Sequence, residues 1–108
     1  MSTNATITVK CSDDTYSTIY THWDGYPSHH MVILEGYYAS QELAEKLVSL
    51  GDMSCLENSI DECIYYDRNR QEDWEDVQPR KTTSLKDVCM SAEYNYYWNG
   101  DRWQVGRY

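Results

Sequence analysis

The 108-residue chain contains no phenylalanine. Its bulky aromatic positions go to 11 tyrosines and 4 tryptophans, each with a polar atom that needs a partner or water when buried. That excludes a deep, dry core and favours a thin one bordered by wet surface, or an interaction face, where Tyr and Trp are enriched. Bases are scarce: 9 Lys and Arg stand against 18 Asp and Glu, for a formal charge of -9. Nucleic acid and anionic membranes are met with a basic footprint, so direct binding to either is not expected. A basic partner suits the charge, including a protein that itself binds nucleic acid. With only 5 glycines there is no phosphate-binding glycine loop, and neither an HExxH pair nor a nucleophile elbow occurs. No apolar run is long enough to span a bilayer. The first ten residues, "MSTNATITVK", lack a basic region followed by an apolar stretch, so no secretory signal is expected. The cysteines at 11, 55, 63 and 89 lack zinc-knuckle spacing. Reduced thiols, a cytosolic setting, and neither metal nor cofactor are the expectation.

What is present is a folding sequence, 41% hydrophobic, of a length that suits one domain over residues 1–108. Ala5, Ile7 and Val9 alternate in strand fashion, and "TYSTIYTHW" resumes the pattern after the polar turn "CSDDT", which predicts an antiparallel hairpin. "SHHMVILEGYY" supports a helix with Ser28 as N-cap and Met31, Leu34 and Tyr38 at helical spacing. "SQELAEKLVSLG" predicts a second helix, capped by Ser40, striped by Leu43, Leu47 and Leu50 and stopped by Gly51. "DMSCLENSI" reads as a helical turn or a loop, and "ECIYYDR" as a strand. "NRQEDWEDVQPRKTTSLKD" reads as a polar excursion over the surface. Two aromatic runs around Asn99-Gly100 predict a closing hairpin. The fold class expected is α+β, with an antiparallel sheet from the N- and C-terminal hairpins covered on one face by two helices.

Two segments draw functional attention. The first is "HWDGYP": His22, Trp23, Asp24, Gly25, Tyr26 and Pro27. With Cys11, the His22/Asp24 pair has the residue types of a thiolate nucleophile and its activators; with His29 or His30 it has those of a metal site. Neither pattern is specific. The favoured reading is a structural corner in which Trp23 and Tyr26 lock by packing and Asp24 caps the turn. No catalytic residues are assigned and the chain is read as a non-enzyme. The second segment is acidic. Nine acids fall between Asp52 and Asp76, with only Arg68 and Arg70 against them. The expected partner-binding residues are Asp61, Glu62, Asp67, Glu72, Asp73, Glu75 and Asp76 around Trp74, written as an exposed anchor with a charged rim.

"IYTHWDGYPSHH", "LEGYY", "LVSLGDMSCLE", "YDRNRQEDW" and "YNYYWNGDRWQV" together resemble a family of small proteins encoded by bacteriophages and prophages. The resemblance spans roughly residues 5–105, with the His-Trp-Asp-Gly-Tyr-Pro run its most specific part. The family often has a glycine and a lysine in the helix after the corner, where this chain has "HHMVIL". The resemblance implies a phage setting in the cytoplasm of an infected bacterium and supplies no catalytic residues. Size, charge and that setting suit an anti-CRISPR-like inhibitor: a monomer whose acidic surface occupies the nucleic-acid-binding site of a host defence complex, such as a CRISPR effector subunit. The alternatives are a phage accessory protein that binds another host factor through an aromatic face, and a small Cys/His/Asp enzyme.

Overall fold

Alternation in the first strand sets the centre of the molecule. The computed structural model describes residues 3–107 and is an α+β fold. β1 (Ala5–Lys10) and β2 (Tyr16–Thr21) form the first hairpin. After α1 (His30–Tyr37) and α2 (Gln41–Ser49) come β3 (Met53–Cys55), β4 (Ile64–Tyr65), α3 (Tyr66–Arg70), α4 (Trp74–Val77) and β5 (Arg80–Thr82). A 3-10 turn (Leu85–Asp87) leads to β6 (Tyr94–Trp98) and β7 (Trp103–Arg107). The strands form one seven-stranded sheet ordered β4-β3-β2-β1-β6-β7, with β5 also pairing β2.

The register puts Ile7 beside Ile19 and Tyr96, and Val9 beside Ser17 and Trp98. This face carries the core, where Ile7, Val9, Ile19 and Tyr96 are fully buried; each aliphatic side chain so buried contributes about 1.5–3 kcal/mol. α2 packs on β1 and β2, and α1 packs on β7. The opposite face is polar yet closed: Thr8 meets Thr18 at 2.9 Å, and Thr6 donates to Asn95 at 2.7 Å.

Both expected hairpins are present in one sheet, but the sheet is mixed rather than antiparallel. β1 runs parallel to β6 and β2 parallel to β3. Side-chain alternation is the same in either sense, so the pattern that revealed the strands carried no sign of direction. Among the described residues four helices are present instead of two: α3 takes the end of the expected strand "ECIYYDR", and α4 breaks up the expected surface excursion. "DMSCLENSI" holds strand β3, and only Ile64 and Tyr65 of "ECIYYDR" are strand.

The helix caps divide. Ser40 caps α2, accepting from Leu43 N at 3.1 Å. Ser28 caps nothing: α1 has His29 at its N-cap with no side-chain bond, and its first turn is wound on the Tyr26 carbonyl, which accepts from His29 and His30 N at 3.0 Å. The apolar stripe of α2 is turned from the expected one. Ala44, Leu47 and Val48 are buried, while Leu43 is exposed. The small Ala44 lets the helix backbone approach the sheet, where a leucine would hold it off.

Candidate functional site

The corner is built by main-chain bonds and one close approach. His22 N donates to Met53 O at 3.2 Å, and Trp23 N to Ser54 O at 3.1 Å, extending β2 along β3. Asp24 then turns left-handed at φ 57°. Gly25 N donates to Thr3 O at 2.7 Å, and the buried Tyr96 hydroxyl donates to Gly25 O at 2.6 Å. A Cβ on Gly25 would stand 2.8 Å from Thr3 O and 2.9 Å from Ala5 Cβ. The lock is therefore Gly25 and Tyr96. Trp23 and Tyr26, expected to fill that role, are 42% and 40% exposed. Asp24 instead accepts from the Tyr26 hydroxyl at 3.1 Å, which pushes the Tyr26 phenol pKa up. Gly25→Ala is expected to cost about 2 kcal/mol by overpacking, lowering the melting temperature by roughly 8–15 °C. Calorimetry showing an unchanged melt would refute the close-approach account.

The three histidines part company. His22 bonds the Tyr20 hydroxyl through Nδ1 at 2.8 Å and meets the Trp23 ring edge-on at 4.7 Å. His30 is wholly buried, its Nε2 2.9 Å from Thr21 Oγ1 and its Nδ1 3.1 Å from His29 Nδ1. It stacks on Tyr96 at 5.4 Å. Burial, and then the neighbouring His29, lower the His30 pKa to about 4, while the Asp24 backbone offsets part of the shift. Cys11 is far from all of them. It follows the end of β1 opposite the corner, some six residues and so about 20 Å along the strand, and its thiol contacts Val9 O and Ser17 Oγ at 3.6 Å. The structure does not bring together Cys11, His22 and Asp24. Among the described residues no three His, Cys, Asp or Glu converge as a metal-ligand set, and all four cysteines are free.

Most of the acidic segment is exposed. Asp61, Glu62, Glu72, Asp73, Glu75 and Asp76 are exposed, and Asp67 is half-buried on α3. Asp73 caps α4, accepting from Glu75 N at 3.1 Å, and the Glu62 carboxylate accepts from Ser59 Oγ at 3.0 Å. Among the described residues the ion pairs are Arg80–Asp52 and Arg102–Asp101, so none involves these acids. The two expected counter-charges are occupied elsewhere. Arg68 donates to the carbonyls of Ile60 and Cys63 at 2.9 and 2.7 Å and lies over the Tyr65 ring. Arg70 lies over the Tyr66 ring at 5.8 Å.

Asp52 leaves the acidic surface altogether. β3 and β5 share the outer edge of β2, and Asp52 fills the gap between them. Its Oδ1 accepts from Tyr20 N at 2.8 Å and from Arg80 at 2.9 Å. The β2 backbone would otherwise be left unpaired at that point.

Trp74 is 39% exposed and is not a free-standing anchor. Its ring comes against Gly51 and forms one wall of an open groove of about 1120 Å³, with Glu75 and Asp76 beside it. Cys11, Lys46, Val48 and Lys81 also line the groove, so both signs of charge face into it.

Sequence reasoning missed a second cluster on the polar face. Tyr66 follows β4, its ring under the Arg70 guanidinium at 5.8 Å and its N–H donating to Asp52 O at 3.2 Å. Glu72 N also donates to Tyr66 O at 3.0 Å. Burial raises the Tyr66 pKa. Tyr20 N donates to the Oδ1 of the same Asp52 at 2.8 Å, and the Tyr20 hydroxyl bonds His22, which meets Trp23. The signals were the spacings: Tyr20 and His22 are two apart on an extended segment, and Tyr66 and Arg70 four apart on a helix.

What the residues define is an α+β protein whose mixed sheet carries an aromatic corner and an acidic helical segment whose carboxylates make no ion pair among the described residues. No family model, curated protein or solved structure matches this chain.

Proposed function

We propose that the chain is a phage-encoded inhibitor of a host defence complex such as a CRISPR effector. Its acidic surface occupies a site where nucleic acid would bind, and it acts as a monomer in the cytoplasm of the infected bacterium. The observation that carries this reading is the set of seven carboxylates from Asp61 to Asp76 without an ion pair among the described residues. Unpaired carboxylates on an exposed segment offer the charge that the Lys and Arg of a nucleic-acid channel meet in phosphates. They also steer association, making it fast and weaker as salt rises. Among the described residues no helix is long and apolar enough to cross a membrane.

The test is a pull-down from host lysate at low and high salt, with wild type beside a variant carrying Glu72→Lys, Asp73→Asn, Glu75→Lys and Asp76→Lys. Asparagine keeps the α4 cap, so the variant should melt like the wild type. The expected result is a nucleic-acid-binding partner held by the wild type, weakened by salt and released by the variant. A partner that stays on the variant, or binding indifferent to salt, would sink the charge mechanism.

A further inference from the structure

The corner and the acidic segment meet around Asp52. Trp23, 42% exposed, meets His22 edge-on, and His22 is bonded to the Tyr20 hydroxyl. Tyr20 N and Tyr66 N both donate to Asp52, to its Oδ1 at 2.8 Å and its carbonyl at 3.2 Å, and Tyr66 sits under the Arg70 guanidinium with its own carbonyl accepting from Glu72 N. Trp, Tyr and Arg are the residue types that carry most interface energy when desolvated. Main-chain bonds of Trp23 and Glu72 to Ser54 and Tyr66 hold the group in place. Along its α3 side Asp67, Glu72 and Asp73, none with an ion pair among the described residues, outnumber Arg70 and the carbonyl-bonded Arg68.

Resting on the functional reading above, we propose that the centre of the partner-binding surface is this Trp23–Tyr66 cluster and not Trp74, and that its occupant is a partner segment presenting arginine. Over an indole face the guanidinium gains a cation–π contact, while Glu72 and its neighbours supply the opposite charge. The charge on the α3 side is what selects a basic segment over nucleic acid or a second, equally acidic copy of this chain.

The indole N–H signals make the test direct. Trp98 and Trp103 are buried, with Nε1 donating to Gln41 Oε1 at 2.8 Å and to Tyr38 O at 3.1 Å, so they serve as internal references. Trp23 and Trp74 report the two candidate centres. A short blocked peptide carrying two arginines is titrated into 15N-labelled protein at about 150 mM salt, beside the same peptide with glycine for arginine and a short DNA strand. The expected result is a saturable shift of the Trp23 indole and the Tyr66 amide with the arginine peptide alone. Trp23→Ala should weaken the remaining shift at Tyr66 about three- to fivefold while leaving the melt unchanged. Shifts at Trp74 with Trp23 silent would overturn this placement but leave the charge mechanism standing. No shift anywhere would overturn both. Shifts with DNA, or ones that grow with protein concentration alone, would give the surface to nucleic acid or to self-association and overturn the proposal.

Discussion

A Gly51→Ala protein is expected to melt roughly 12–24 °C below the wild type, a loss of about 3 kcal/mol. Two effects add at this position. Gly51 ends α2 at φ +88°, where an L side chain is strained. An added Cβ would also stand 2.4 Å from Val77 O and 3.2 Å from the Trp74 ring. Asp52 N donates to the same Val77 carbonyl at 2.8 Å, so the clash falls on the bond that ties α4 to the sheet. The displaced Trp74 should shift its fluorescence before global unfolding. A variant that melts within a few degrees of wild type, with unchanged emission, would refute this account.

Acid should weaken the fold through His30. In the native state its pKa lies at about 4, and in the unfolded chain it returns to 6.5. The unfolded chain therefore binds more protons between those values, and stability falls as pH drops through that window. The contribution is fully present above pH 6.5 and is lost as pH falls, the loss amounting to about 3 kcal/mol near pH 4. His30→Gln keeps a polar group for Thr21 and removes the titration. Denaturant midpoints measured from pH 7 to pH 4 should decline more steeply in wild type than in the variant. Parallel declines would show that His30 is not the group responsible.

Local chemistry was the legible part. Strand alternation found β1, β2, β6 and β7, Asn99-Gly100 found the last turn, and Ser40 and Gly51 found the two ends of α2. The sense of pairing was not legible, because alternation is blind to it. Nor were the three-residue strands β3 and β5, whose existence depends on the free edge of β2 and not on their own composition. Of the site, exposure of the acidic residues could be read from charge density. That Asp52 is a buried bracket could not, since its partners Tyr20 and Arg80 lie 32 and 28 residues away. The corner was read as a packed aromatic lock. Structure assigns the packing to Gly25 and Tyr96 and frees Trp23 for the surface.

The parallel pairing of β1 with β6 bears on how the chain acquires its shape. Thr6 bonds Asn95 across 89 positions, and β1 lies between β2 and β6 in the sheet. During synthesis the first hairpin has no neighbour on one edge of β1 until β6 has left the ribosome. Closing so long a loop places the protein among the slow folders, in milliseconds to seconds, with an unpaired central strand exposed meanwhile. The polar character of that strand's second face, Thr6 and Thr8, keeps the waiting hairpin from being apolar on both sides.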